Sequence, residues 1–205
     1  MRSVAIVDYG LCNLDSVARA IEECGGAPVV TDRPEDLQAA DRVIIPGVGA
    51  FGKAMENLRR NGLDQAIREQ RERRRMPILG ICLGMQLLAE SSEEGGQHAG
   101  LGLMPGKVLR LQRRSPAERI PHVGWNEIEI LSPHPLLHGV ASGANFYFVH
   151  SYHLVCADAG HAVARTPYCG DFLAVAAAGD VMGVQFHPEK SQKAGFALLR
   201  NFLSL

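Results

Sequence analysis

Two short stretches of this chain carry residues whose types and spacing could do chemistry. The first is Leu79-Gly80-Ile81-Cys82-Leu83-Gly84-Met85-Gln86. An apolar run leads into Cys82 and a helical spacing leaves it. Gly80 and Gly84 stand two residues to either side. This is the thiol form of the nucleophile elbow, a sharp strand-to-helix turn with no room for a Cβ beside the nucleophile. Unpaired backbone N–H groups at the start of the helix would stabilise a thiolate there. The N–H of Leu83 could also meet an oxyanion. A buried structural cysteine is the plainer alternative, because free cysteines are among the most buried residues. Cys12, Cys24, Cys156 and Cys169 lack the glycine frame and are read as ordinary thiols.

A thiolate needs a proton-handling partner, most often histidine, oriented by a third group. Gly183-Val184-Gln185-Phe186-His187-Pro188-Glu189-Lys190 offers one. His187 closes an apolar run, Pro188 stops it, and Glu189 is near enough to orient the imidazole. Taken alone, Glu189 could equally complement a helix dipole. His150 and His153 are an odd number apart on what reads as one strand, so they face opposite sides and make a poor metal pair. His134 and His138 flank Pro135 in a loop-like stretch. His98 and His161 have no visible partner. With no Cys-x-x-Cys pair either, neither a metal nor a cofactor is expected.

The elements that must position these residues alternate through the first third. Ser3 to Val7, Pro28 to Thr31, Arg42 to Ile45 and Met76 to Ile81 read as strands. Between them the spacing predicts helices: one from an Asn13 cap to the Gly25-Gly26 stop, then Phe51 to Arg60 and Leu63 to Arg75. Leu83 to Glu90 reads as a helix directly after Cys82. The Gly-rich segment Ser91 to Gly100 reads as a mobile loop. This β-α-β order calls for a parallel sheet with helices on its faces. The second half carries short strand patterns at Lys107 to Leu111, Glu127 to Leu131, Phe146 to Val149, His161 to Arg165, Phe172 to Ala177 and Val181 to Phe186. Turns separate them, so some must pair antiparallel. Pro188 opens a last helix. No composition break divides the chain, so residues 1–205 are expected to form one domain whose sheet the second half extends.

Composition narrows the function classes. Lys plus Arg number 21 and Asp plus Glu 22, a formal net charge of -1. That balance argues against a broad nucleic-acid footprint. The run Arg71-Glu72-Arg73-Arg74-Arg75 reads as a solvated helix end. No apolar run approaches the ~20 residues that span a bilayer, and no secretory signal is visible. Five widely spaced cysteines fit free thiols in a reducing cytoplasm.

Gly80-Ile81-Cys82-Leu83-Gly84-Met85-Gln86 together with Phe186-His187-Pro188-Glu189 resembles the class I (triad) glutamine amidotransferases. The resemblance implies an α/β fold with a mixed, mostly parallel central sheet flanked by helices. It also implies a Cys82-His187-Glu189 triad. Four further stretches are similar to one subfamily, the glutaminase subunits of imidazole glycerol phosphate synthase. They are Asp8 to Val17, Pro46 to Gly52, Pro121-His122-Val123-Gly124-Trp125-Asn126, and Tyr147-Phe148-Val149-His150-Ser151-Tyr152. The likeness runs from residue 3 to the end. Cys12 departs from it, because the family usually has Gly there. A cysteine would be costly if that turn needs φ > 0.

The resemblance further implies an oxyanion hole from the N–H groups of Leu83 and Val48, the second exposed by a peptide flip. Gly47, Gln86, Glu94, Ser151 and Tyr152 are then candidates for holding glutamine. Outside this motif, Gln86 would read as a solvent-facing helix residue. The ammonia acceptor must lie on another chain, since a (β/α)₈ barrel alone takes ~250 residues. The implied partner is a cyclase subunit of that fold, forming a heterodimer, with Trp125, Asn126, Tyr147 and Lys190 as candidate contacts. Anthranilate or aminodeoxychorismate synthase is the alternative setting. A degenerate binding module and a cysteine peptidase are the alternatives outside the family.

Overall fold

The computed structural model describes residues 1–205. Strand β1 (Ser3–Val7) leads to helix α1 (Leu14–Glu23), then β2 (Ala27–Thr31), a short α2 (Asp36–Ala39) and β3 (Arg42–Ile45). Helices α3 (Phe51–Arg60) and α4 (Leu63–Arg74) precede β4 (Ile78–Ile81) and α5 (Leu83–Leu87). Strands β5 (Ala89–Ser92), β6 (His98–Ala99), β7 (Met104–Arg110), β8 (His122–Glu127) and β9 (Glu129–Ile130) follow. The chain continues through β10 (Asn145–His150), β11 (Tyr152–Cys156), β12 (Ala162–Thr166), β13 (Phe172–Ala178) and β14 (Val181–Val184). It closes with α6 (Gln192–Ser204).

The main sheet has eight strands in the order β2-β1-β3-β4-β14-β13-β12-β9. The first five run parallel and the last three neighbours pair antiparallel. This is the mixed, mostly parallel sheet expected. Alternation along β1 sends Val4 and Ile6 to one face and Ala5 and Val7 to the other. The first face packs with Val17 and Ile21 of α1 and Leu198, Leu199 and Phe202 of α6. The second packs with Met55 and Leu58 of α3, Ile67 of α4 and Leu87 of α5. A strand buried on both faces reads as an unbroken apolar run, and β1, β3 and β4 do.

Several expectations need correction. Leu83 to Glu90 is not one helix: α5 ends at Leu87, and Ala89 already pairs with Met104 on β7. The i, i+4 leucines satisfy either reading, and sheet pairing overrides local propensity. Ser91 to Gly100 is not a free loop, since Ser91 and Ser92 pair with Ala99 and His98. The second half does not all extend one sheet. β8 and β10 form a separate two-stranded sheet, and β11-β7-β5-β6 form a third. His150 and His153 lie on two different strands, β10 and β11. Asn13 holds the cap position of α1 but makes no side-chain cap bond. Cys12 is absent from the positive-φ residues, whereas Gly10 carries φ 81°. The cysteine therefore costs no backbone strain.

Candidate active site

Cys82 follows β4 and His187 follows β14, and these strands are parallel neighbours. Two distant stretches of sequence thus reach the same crest, at the carboxyl ends of adjacent strands. Cys82 sits at φ 53°, ψ −109°, a conformation that L residues hold only when the surroundings enforce it. Its N–H donates to Val184 O at 2.8 Å. A Cβ on Gly80 would lie 2.6 Å from the Gly84 backbone, and one on Gly84 would collide with the Ile45 carbonyl. Both glycines are therefore steric requirements of the turn.

His187 Nδ1 pairs with Glu189 Oε1 at 2.7 Å, and both side chains are almost wholly buried. The other ring nitrogen, Nε2, is buried with no hydrogen-bond partner. Burial alone would discharge the imidazole, but Cys82 and Glu189 outweigh it and raise the His187 pKa to about 10. The ring is thus held ready as a proton donor at neutral pH. The Cys82 thiol rests against Val149 O at 3.7 Å. The His187 backbone is stitched to β10, its N–H donating to Tyr147 O at 2.9 Å. Ser191 completes the stitch, accepting from Tyr147 N at 3.0 Å and donating to His187 O at 2.6 Å.

A cavity of about 220 Å³ opens over Cys82, lined by Val48, Gly49, Leu83, Gln86, Glu94, Val149, His150, Ser151 and Tyr152. The structure brings Val48, Gln86, Glu94, Ser151 and Tyr152 together there. Gln86 is buried, not solvent-facing. Its Nε2 donates to Tyr152 O at 2.8 Å and Gln185 Oε1 at 3.1 Å, so its Oε1 is what remains for a ligand. Glu94 Oε2 accepts from Phe51 N at 2.7 Å and so ties the β5–β6 turn to the start of α3. Gly47 does not line the cavity. Its carbonyl accepts from Leu83 N at 3.4 Å, while Val48 N donates the other way, to Leu11 O at 2.8 Å. The peptide between them therefore covers the Leu83 donor and withholds the Val48 donor.

Sequence reasoning missed three contributors. Tyr9, fully buried, donates to Pro46 O at 2.6 Å and fills the space a Cβ on Gly47 would need. Gln185 donates to Cys82 Sγ at 3.8 Å. His150 lines the cavity. Each lies inside a quoted motif, yet only the folded chain reveals what it touches.

The outer face of the β8–β10 ribbon adjoins the cavity. Trp125 is 49% and Val123 58% exposed. Trp125 lies edge-on to Tyr147 with ring centroids 6.0 Å apart, and Lys190 Nζ sits 5.9 Å from the Tyr147 ring. Asn126 follows on the same strand. Trp125, Tyr147 and Lys190 thus share that face, whereas the Asn126 side chain turns the other way, toward the buried His122. Nothing groups three or more His, Cys, Asp or Glu as a metal site. No helix is long and apolar enough to cross a membrane.

A strained thiol lining a cavity, with a buried His–Glu pair beside it at the crest of an α/β sheet, is the arrangement a cysteine-nucleophile hydrolase would need. The family profile described as Glutamine amidotransferase class-I matches residues 5–204. The chain belongs to that family. It is 49% identical over 203 residues to "Imidazole glycerol phosphate synthase subunit HisH" of Moorella thermoacetica, covering 98% of this chain and 94% of that one. It is 45% identical to the protein of the same name from Pseudomonas putida, covering 100% and 98%. A crystal structure of a glutamine amidotransferase matches its fold with a TM-score of 0.77 at 20% identity, covering 98% of this chain and 97% of that one.

Proposed function

We propose that this chain is the glutaminase subunit of an imidazole glycerol phosphate synthase. It hydrolyses glutamine to glutamate and ammonia and hands the ammonia to a cyclase subunit. One observation carries the chemistry: the buried His187–Glu189 pair stands beside the strained Cys82, which itself lines the cavity. The near-full-length similarity to relatives of that name supports the setting.

Cys82 Sγ attacks the side-chain carboxamide carbon, and the C–O π pair moves onto oxygen. Leu83 N–H and, after the Gly47–Val48 peptide turns over, Val48 N–H stabilise that oxyanion. His187 protonates the nitrogen, the C–N bond breaks, and ammonia leaves a Cys82 thioester. His187 then takes a proton from water, whose oxygen attacks the thioester. Collapse releases glutamate and regenerates the thiolate. Glu189 holds the tautomer that lets Nε2 serve both steps. Gln86, Glu94, Ser151 and Tyr152 line the seat of the amino-acid portion, and Gly47 serves it through its mobile peptide. No cofactor or metal is required.

Ammonia freed in bulk water near neutral pH would protonate and lose its nucleophilic pair. A partner seated on Trp125, Asn126, Tyr147 and Lys190, beside the cavity, shelters it. That partner is a (β/α)₈ cyclase forming a heterodimer with this chain. It joins the ammonia to an activated ribonucleotide, giving imidazole glycerol phosphate and aminoimidazole carboxamide ribotide. A reducing cytoplasm suits the free thiols. Complementation tests the assignment: the gene should restore growth without histidine to a strain lacking this subunit. Failure there, with rescue of a strain lacking the anthranilate synthase glutaminase, would move the chain to that other setting.

A further inference from the structure

Two buried histidines, one lining the cavity and one behind it, stand outside the triad. His122 on β8 and His150 on β10 are 4% and 6% exposed. His122 Nδ1 lies 3.2 Å from His150 Nε2, and His150 Nδ1 lies 2.9 Å from Tyr152 O. At the other end, Asn126 Nδ2 lies 3.3 Å from His122 Nε2. The roles in this chain are forced. A carbonyl only accepts, so His150 Nδ1 carries its proton and the neutral ring accepts at Nε2. His122 therefore donates from Nδ1 and accepts at Nε2. Asn126 Oδ1 accepts from Glu127 N at 2.9 Å, which fixes its amide with Nδ2 toward His122. Every link has one direction.

Tyr152 O is where this chain meets the cavity. The same oxygen accepts from Gln86 Nε2, which braces Gln185, whose Nε2 addresses Cys82 Sγ. One run of hydrogen bonds therefore joins the exposed ribbon to the wall of the cavity. The rings sit in an aromatic cage. His122 stacks on Tyr168 at 4.1 Å, and Phe172 meets both imidazoles edge-on at 5.5 and 4.7 Å. Burial lowers the pKa of His122 to about 4 and that of His150 to about 3. A proton added to either would set donor against donor along the chain.

We propose that His122 and His150 are positioning residues for glutamine, a neutral relay that fixes the Ser151–Tyr152 backbone from behind. They do not touch the reacting atoms. They set where the Tyr152 carbonyl, and through it the Gln86 amide, stands in the seat. This rests on the reading that the Cys82 cavity takes glutamine.

The test is labelling of Cys82 in the full chain by a diazoketone analogue of glutamine, resolved into KI and kinact, with iodoacetamide alkylation alongside. His122→Phe keeps the stacking and removes the hydrogen bonds. His122→Asn loses the stacking but returns an amide N–H to the Nδ1 position. Breaking a buried hydrogen bond of this kind is expected to raise KI about tenfold in H122F. Alkylation and kinact should stay near wild type, and H122N should recover most of the KI. Thermal stability should rank in the opposite order, with H122N melting lower than H122F. KI unchanged in H122F, or KI losses that follow the melting order, would reduce the pair to packing and overturn the relay. Wild-type protein alkylated by iodoacetamide but not saturably labelled by the analogue would overturn the glutamine seat itself.

Discussion

At the scale of single residues, Glu189 makes the sharpest claim. It gives His187 a fixed tautomer and offsets part of the cost of burying a charged imidazole. Glu189→Gln should therefore lower kcat by ~10²–10⁴ with KM little changed. Steady-state glutamate release measures this, and a variant that loses only KM would contradict the assigned role. The histidines also predict opposite pH effects. His187 is raised to about 10, so the stability its charge contributes is complete below about 6.5 and is lost as pH rises through about 10. His122 and His150 are lowered to about 4 and 3. Their contribution is complete above about 6.5 and drains away as pH falls toward those values. Urea unfolding between about pH 7 and pH 4.5 should show that loss, and His150→Phe should flatten it. An equally steep acid limb in H150F would mean that other groups carry it. The two stretches that hold the proposed triad were legible in the sequence because each motif is local: Gly-x-Cys-x-Gly, and His-Pro-Glu. The role of His150 was not, because its side-chain partner His122 lies 28 residues away on β8.

At the scale of elements, the junction of β4 and α5 is where packing leaves least freedom. Gly80, Gly84 and the Ile45 carbonyl share one narrow crossing. Gly80→Ala should destabilise the fold by ~1–3 kcal/mol and suppress glutaminase activity. A thermal melt and an activity assay check both, and a G80A protein of wild-type stability would show the crossing to be looser than drawn. The parallel core was readable because strands buried on both faces are continuous apolar runs, as in Ser3 to Val7 and Arg42 to Ile45. The helix from Leu83 was overextended because Leu83, Leu87 and Leu88 fit helix spacing as well as they fit the turn into β5. Strand β11 escaped notice because Tyr152 to Cys156 has mixed polarity, and its pairing with β7 spans distant sequence.

At the scale of the whole molecule, the proposed partner contact borders the proposed catalytic site. Tyr147 holds the His187 backbone through its carbonyl and offers its ring, with Trp125, to the outside. A partner that seats there is one hydrogen bond away from His187, the proposed catalytic base. Trp125→Ala should weaken the heterodimer by ~2 kcal/mol, about thirtyfold in Kd. Isothermal titration with the cyclase subunit measures it, and undiminished affinity would move the interface elsewhere. Sheet count was the part of the architecture least legible. The split of the second half into three sheets depends on which strands meet across long connections, and turn signals do not record that.

In the resting molecule neither proposed oxyanion donor is free, with the Gly47 carbonyl on the Leu83 N–H and the Val48 N–H turned toward Leu11. The proposed glutaminase reaction needs that peptide to turn over, and partner binding is the proposed trigger. The most direct measurement is the rate of glutamate release by the chain alone and in complex with the cyclase subunit and its nucleotide ligand. Recovering an oxyanion donor should raise kcat by ~10²–10³ in the complex. An equal rate in both conditions would contradict the account, because the peptide would then be gating nothing.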